Sequence, residues 1–390
     1  MKVDFDFSPE EKELVGDVRS FLRSETTPEL REESLNNGFC YGGPLGRKFI
    51  RSFAANGWLT PNWPREYGGL GASAMVTFAI REEMSYARVP IIFVAAHMAG
   101  PTIIHYGSEE MKRKWLLPIA RGEIEFSLGY TEPQAGSDLS ALQIQAMDNG
   151  DHFLINGQKL FNTHSHLADY HWLAARTDPG ANRYQGVSMM IVDLKSPGIT
   201  IRPIITMAGW QTNEVFYDDV AVPKKNLVGE LNKGFYYLMS ALDYERMFPL
   251  GAYRRLFDEI VEYARETMVN GQLLSKNPLV RDKLVRLQIE IEANRLLYYR
   301  LAHILDKGEI PNYQTAMQKV FATELAQRIT KTGMEILGSF SLLKRGSRHA
   351  KLDGLAELFH RWSVVETIYA GTSEIQRTII ARRGLNLPGK

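Results

Sequence analysis

The chain has 390 residues, 44% of them hydrophobic and 23% charged, a composition of ordinary globular proteins with enough apolar side chains for a sizeable core in two or three structural parts. A formal net charge of +1 with no run of like charges offers no basic field to nucleic acid, and no apolar stretch reaches the roughly 18 residues needed to span a bilayer. The single cysteine, Cys40, excludes an intrachain disulfide, and Asp4 and Asp6 stand where a secretory leader needs a basic start, so a cytoplasmic protein is expected.

In Ser8-Pro9-Glu10-Glu11 the serine can cap a helix, the proline suits its first position and Glu11 completes a capping box; Leu14, Val15, Val18, Phe21 and Leu22 then follow helical spacing. Asn36 to Gly46 is Gly-rich and reads as a loop. Tyr67-Gly68-Gly69-Leu70-Gly71 lacks the G-x-G-x-x-G spacing and has no strand pattern before it, so it reads as a turn and not a phosphate cradle. From about residue 126 to 230 the texture changes to short β-branched and aromatic runs bounded by Gly, Pro, Asn and Asp, among them Phe153-Leu154-Ile155, Val187 to Val192, Ile199-Thr200-Ile201 and Val215-Phe216-Tyr217. After Gly234 the helical period returns. Val280, Leu284, Leu287, Ile291, Tyr298, Leu301 and Leu305 recur behind Pro278 and stop before Gly308, a bundle helix of about 30 residues with a face available to join subunits. The expected fold is α+β: an N-terminal helical domain over residues 1–125, a β-barrel-like middle domain over 126–230 and a C-terminal four-helix bundle over 231–390.

Four motifs carry the candidate chemistry. They are Tyr130-Thr131-Glu132-Pro133-Gln134-Ala135-Gly136-Ser137-Asp138; Asn156-Gly157-Gln158-Lys159-Leu160-Phe161-Asn162-Thr163; Phe216-Tyr217-Asp218-Asp219-Val220-Ala221-Val222-Pro223 with Asn226-Leu227-Val228-Gly229; and Tyr369-Ala370-Gly371-Thr372-Ser373-Glu374-Ile375-Gln376-Arg377. Alone, the first is a polar turn in which Gly136 allows close backbone approach and Thr131 and Ser137 add hydroxyls. Phe161 alone is as well read as core. In the last, Ser373 with Gln376 has capping-box spacing, so the motif is expected to open a helix. His164, His166 and His171 have no cysteine or acid at ligand spacing and read as core or surface histidines, with no metal.

In order and separation, the four motifs resemble those of the acyl-CoA dehydrogenases along essentially the whole chain. The resemblance implies FAD as cofactor and α,β-dehydrogenation of an acyl-CoA to the trans-2-enoyl-CoA, with electrons passed to an electron-transfer flavoprotein. It assigns Tyr130, Thr131, Ser137, Phe161, Thr163, Thr372 and Glu374 to cofactor binding, with Ser137 where flavin and acyl-CoA meet, Phe161 against the flavin ring and Thr163 near flavin N5. Ser137, Tyr244, Arg246, Ala370 and Gly371 are implied substrate contacts, the amide of residue 370 donating to the thioester carbonyl. The family's glutamate base often stands between the Tyr and the Gly of the last motif, where this chain has Ala370. Some members instead carry it on the helix holding Leu242-Asp243-Tyr244-Glu245-Arg246, which makes Glu245 the expected base. The other reading of Glu245 is a helix-surface carboxylate paired with Arg246 or Arg254.

Three departures stand out. Thr267, Asn270 and Pro278 occupy the positions matching the Arg, Phe and Gln that reach a neighbouring subunit's flavin pyrophosphate, with Arg265 or Arg281 as substitute cation. Glu335 stands where a Gln that contacts cofactor is common. Ser339 replaces a Gly. These changes resemble branches acting on bulky, cyclic, branched or dicarboxylic acyl-CoAs. A homo-oligomer, tetramer or dimer, is expected; a pair of unlike subunits in which this chain contributes little catalysis is the alternative, and an oxidase or an enoyl-CoA reductase on the same fold is another.

Overall fold

The computed structural model describes residues 7–245 and 247–388, with the side chains at 240 and 242–246 outside that description. In chain order the elements are α1 (Pro9–Glu25), α2 (Pro28–Asn36), α3 (Pro44–Ala54), α4 (Ala74–Ala87), α5 (Gly100–Tyr106) and α6 (Glu109–Ala120). The strands β1 (Phe126–Gly129), β2 (Gln145–Asn149), β3 (His152–Lys159), β4 (Tyr170–Arg176), β5 (Val187–Asp193), β6 (Ile199–Ile205), β7 (Gln211–Pro223) and β8 (Leu227–Val228) follow. Then come α7 (Gly234–Glu245), α8 (Gly251–Glu266), a hairpin of β9 (Met268–Val269) and β10 (Gln272–Leu273), α9 (Pro278–Asp306), α10 (Tyr313–Leu337), α11 (Leu355–Glu366) and α12 (Ser373–Ile379). The order is helical, β-rich, helical.

The elements form two compact units: Met1–Leu22 with Ala74–Arg88 and Arg246–Lys390, and Arg23–Ser73 with Val89–Glu245. In the first, α1 opens on the expected capping box, Ser8 Oγ accepting Glu11 N at 3.2 Å while Glu11 Oε2 accepts Ser8 N at 3.0 Å. The long periodic segment is α9, which has 29 residues and buries Leu287, Ile291, Tyr298 and Leu301. α8, α9 and α11 pack on α10, and α4 adds itself against α8 and α9. That attachment is ionic as well as apolar: Arg88, buried at the end of α4, makes a bidentate pair with Glu259 at 2.9 and 2.8 Å. At the centre Tyr253 meets Phe359 edge-to-face and Phe359 stacks on Trp362, with centroids 5.2 and 6.1 Å apart, and pairs of this kind add about 0.5–1.5 kcal/mol beyond their area burial. Along the outer face of α9, Leu279, Val285, Ile289 and Leu296 are exposed.

In the second unit an eight-stranded sheet follows the path β6-β7-β3-β2-β4-β5-β8, with β1 added in parallel to β4. The barrel-like sheet stays open among the described residues: β6 and β8 end the path, and β8 is only two residues long. β5 is buried along Val187–Val192, because the sheet covers one side and α7 packs on the other. α7 can approach that closely because it starts at Gly234, where a Cβ would stand 2.5 Å from the backbone of Ser188. The loop before α3 is shorter than the Gly-rich composition suggested, since Pro44 starts the helix at its first turn. Tyr67-Gly68 closes a turn, as expected, with Gly68 at φ 89°.

Candidate active site

The first two motifs lie side by side in the second unit, joined by a buried ion pair that spacing alone did not reveal. Lys159, at the end of β3, is 0% exposed and Glu132 3% exposed. Lys159 Nζ donates to Glu132 Oε1 at 2.8 Å and to the Tyr130 carbonyl at 2.9 Å. The same carboxylate accepts Ile144 N at 3.1 Å, Gln143 N at 2.6 Å and Gln134 Nε2 at 2.7 Å. Leu160 N donates to the Thr131 carbonyl at 2.8 Å, so both motifs hold one another by main chain as well. Burial pulls the Lys159 ammonium down to about 8, with Glu132 opposing it. Buried Tyr130 and half-buried Thr131 are thereby set in place, and Ser137 is left exposed at the tip of the turn.

Phe161 is pushed outward. It is 59% exposed with φ +56°, a conformation that costs a non-glycine residue about 1–2 kcal/mol and is characteristic of sites where side chains are presented. What over-determines it is the next residue: Asn162 N donates to Asn213 O and Asn213 Nδ2 donates to Asn162 O, both at 2.8 Å. Asn162 Nδ2 ties the turn to Leu128 O at 2.8 Å, while its buried Oδ1 has no partner. Thr163 Oγ1 lies 3.2 Å from Thr212 Oγ1. Lys159, Asn162 and Asn213 were not singled out from sequence; only the sheet register brings them together.

The helix expected to carry the base, α7, runs to Glu245 and packs against β5 and a π-helical turn at Ala95–Ala99. The side chains of Tyr244 and Glu245, and Arg246 altogether, lie outside the described residues. The π-turn is anchored by Glu125, whose Oε1 accepts Ala95 N at 2.7 Å and Phe126 N at 2.8 Å. Burial raises the Glu125 carboxyl from 4.5 to about 8, with the two amides and Arg47 lowering it and Asp169 raising it. A folded-state value above the unfolded one means that the native protein binds the extra proton, so this group's stabilisation is full below about pH 4.5 and is lost as pH rises towards 8. Glu125→Gln keeps an acceptor for both amides. Denaturant midpoints from pH 5 to 9 should therefore converge with wild type at the acid end and exceed it at the alkaline end; parallel profiles would refute this.

In the first unit the C-terminal motif makes a turn of two successive left-handed residues, Ala370 at φ 52° and Gly371 at φ 88°. Gln376 Nε2 donates to Ala370 O at 2.8 Å and to Gly371 O at 3.3 Å, and buried Lys319 Nζ donates to Gly371 O at 2.9 Å. Both carbonyls are thus taken, while among the described residues no acceptor meets the amides of Ala370 and Gly371. Glycine suits 371 because of its φ of 88°, and a Cβ there would displace the Gln376 Nε2 that latches the turn, 2.6 Å away. The expected cap is corrected by one residue: Thr372 Oγ1, not Ser373, accepts Ile375 N at 3.3 Å, because Ser373 is already the buried first residue of α12 and Gln376 is occupied with the turn's carbonyls.

Thr372, Glu374, Arg377, Glu324, Arg328 and Lys331 line a groove of about 530 Å³. Exposed Glu374 has its carboxyl held low by its own backbone N–H, the Thr372 hydroxyl and then Arg377. Arg281 is exposed in the first turn of α9, its Nη1 donating to Ser275 O at 3.4 Å. The segment with Thr267 and Asn270 is the β9–β10 hairpin, turning on Asn270 and Gly271 at φ 50° and 78°, a type of turn Asn-Gly favours. No cation lies in it, and Arg265 beside it faces Glu262 at 3.3 Å. Glu335 pairs with Lys283 at 2.6 Å. His164 and His171 are buried, burial pulling each down to about 3; the His171 ring bonds the Tyr217 hydroxyl, and His166 Nδ1 lies 3.1 Å from Asn213 Nδ2.

The family models for the acyl-CoA dehydrogenase N-terminal, middle and C-terminal domains match residues 8–123, 127–220 and 232–385. The chain belongs to the acyl-CoA dehydrogenase family. It is 37% identical to "Acyl-CoA dehydrogenase FadE26" of Mycobacterium tuberculosis over 98% of both chains. Among solved structures, one described as "Tcur3481-Tcur3483 steroid ACAD" superposes with a TM-score of 0.92 at 33% identity over 100% of each chain. The ChsE4-ChsE5 complex from Mycobacterium tuberculosis superposes with a TM-score of 0.91 at 35% identity, again over 100% of each chain. Acyl-CoA dehydrogenases are FAD-dependent oxidoreductases, and residues of the second unit fit that cofactor: a presented aromatic face at Phe161, hydroxyls at Thr131 and Thr163 and the orphaned Asn162 Oδ1. No helix among the described residues is long and apolar enough to cross a membrane.

Proposed function

We propose that the protein catalyses α,β-dehydrogenation of a bulky acyl-CoA thioester to its trans-2-enoyl-CoA, delivering electrons to an electron-transfer flavoprotein. The observation that carries this reading is the Ala370-Gly371 turn, whose carbonyls are latched and whose amides are left to donate. Preorganised amides stabilise the negative charge that develops on a thioester oxygen when its α-proton leaves, and they do so without a side chain at residue 370. Glu245 takes that proton. Tyr130, Thr131, Ser137, Phe161, Thr163, Thr372, Glu374 and Arg281 hold the FAD, and Ser137, Tyr244, Arg246 and Gly371 line the substrate. FAD, when bound, supplies the acceptor for the β-hydride.

A bulky, polycyclic acyl group is the preferred substrate class because a relative 33% identical over its whole length is described as a steroid enzyme. Incubating the protein with acyl-CoAs of increasing ring content and an artificial electron acceptor tests this. Mass spectrometry should find a product two hydrogens lighter, from cyclic substrates in preference to straight-chain ones; turnover of straight chains alone would refute the substrate class.

The oligomer is best read as a pair of unlike subunits. What favours this over a homo-oligomer is the cation-free β9–β10 hairpin, together with relatives described by two polypeptide names. The exposed Leu279, Val285, Ile289 and Leu296 on α9 supply an apolar subunit face in either case. In the pair, this chain brings Glu245 and its partner the missing cation.

A further inference from the structure

Beneath the Ala370-Gly371 turn lies a buried polar cluster with no counterpart in the motifs that defined the site. Glu366, the last residue of α11, is 4% exposed, and Lys319 of α10 is 1% exposed. Glu366 Oε1 accepts the hydroxyl of Tyr253 from α8 at 3.0 Å, and Oε2 accepts that of Tyr369. Lys319 Nζ stands 5.7 Å over the ring of Tyr369 and donates to the Gly371 carbonyl at 2.9 Å. α10 and α11 therefore converge directly on the three-residue stretch Tyr369-Ala370-Gly371, and α8 braces Glu366 through Tyr253. Burying a lysine and a carboxyl beside each other gains little stability over apolar side chains of the same volume, so the cluster calls for a use. Its geometry supplies one: Tyr369 is gripped by its hydroxyl, Gly371 by its carbonyl, and Ala370 between them is held at a positive φ that alanine does not adopt unaided.

We propose that Lys319 and Glu366 are positioning residues that fix the Ala370 and Gly371 amides for the substrate's thioester carbonyl. The assignment rests on the dehydrogenase reading above and deepens it. Neither residue touches the reacting atoms; both act through the turn. Burial raises the Glu366 carboxyl from 4.5 to about 7, with Tyr369, Tyr253 and Lys319 opposing the rise; a glutamine there keeps the shape but has one acceptor oxygen for the two tyrosine hydroxyls, so it loosens the grip on Tyr369.

The test separates carbonyl recognition from general folding. Affinities of an acyl-CoA and of the S-alkyl-CoA thioether with the same carbon skeleton, which lacks the carbonyl, are measured by calorimetry on the flavin-loaded protein. Lys319→Met and Glu366→Gln are each expected to weaken the thioester by about tenfold and to leave the thioether within about twofold, with kcat falling more than KM rises. If Lys319→Met does not fold, Lys319→Arg and Glu366→Gln carry the comparison. Equal losses for both ligands, or no loss for either, would overturn the assignment. Wild type binding neither ligand would instead contradict the dehydrogenase reading, and the assignment with it.

Discussion

Glu245→Gln is expected to keep its flavin and to lower turnover by about 10²–10⁴-fold, the range a positioned general base contributes. Ala370 leaves the position between Tyr369 and Gly371 without a carboxylate. Glu245 ends α7, a helix seated on β5 and on the π-helical turn and anchored there by buried Leu238 and Ala241. A π-turn inside a helical segment is a frequent companion of functional sites. Glutamine preserves volume and removes only the basicity. Steady-state rates with full flavin occupancy decide the matter: unchanged turnover would mean that another residue takes the α-proton.

The second large effect is on stability. Lys159→Met should destabilise the protein by about 3–5 kcal/mol, because it strands the Glu132 carboxylate as an uncompensated buried charge. Replacing Glu132 as well with leucine should not restore the loss. That carboxylate also satisfies the buried Ile144 N and the part-buried Gln143 N, and an orphaned buried donor costs about 1–3 kcal/mol. Urea midpoints of the single and double variants test both statements. A double variant as stable as wild type would show that the pair is a replaceable filler and not the anchor of the Thr131 turn.

The parts of the fold legible in sequence are those decided locally. The Ser8 and Glu11 capping box, the Pro278 start and Gly308 stop of α9, and the change of texture at residue 126 each rest on a few adjacent side chains. What was not legible depends on distant residues. α4 joins the C-terminal helices through Arg88 and Glu259, 171 positions apart, and no periodicity announces that. The cap at Thr372 instead of Ser373 is decided by where Gln376 goes, and Gln376 goes to carbonyls that two left-handed residues turn towards it. Phe161 could be named from its motif, but its outward strain is imposed by Asn213, which comes in on β7. The motifs themselves are contiguous in sequence, whereas the residues that hold them in place come from distant segments.

The most direct test of the central claim is an anaerobic absorbance titration of the flavin-loaded protein with straight, branched and polycyclic acyl-CoAs. A polycyclic thioester is expected to bleach the yellow flavin stoichiometrically, and Glu245→Gln, equally yellow, to bleach orders of magnitude more slowly. A yellow protein that no thioester bleaches, alone or with its co-purifying partner, would contradict it.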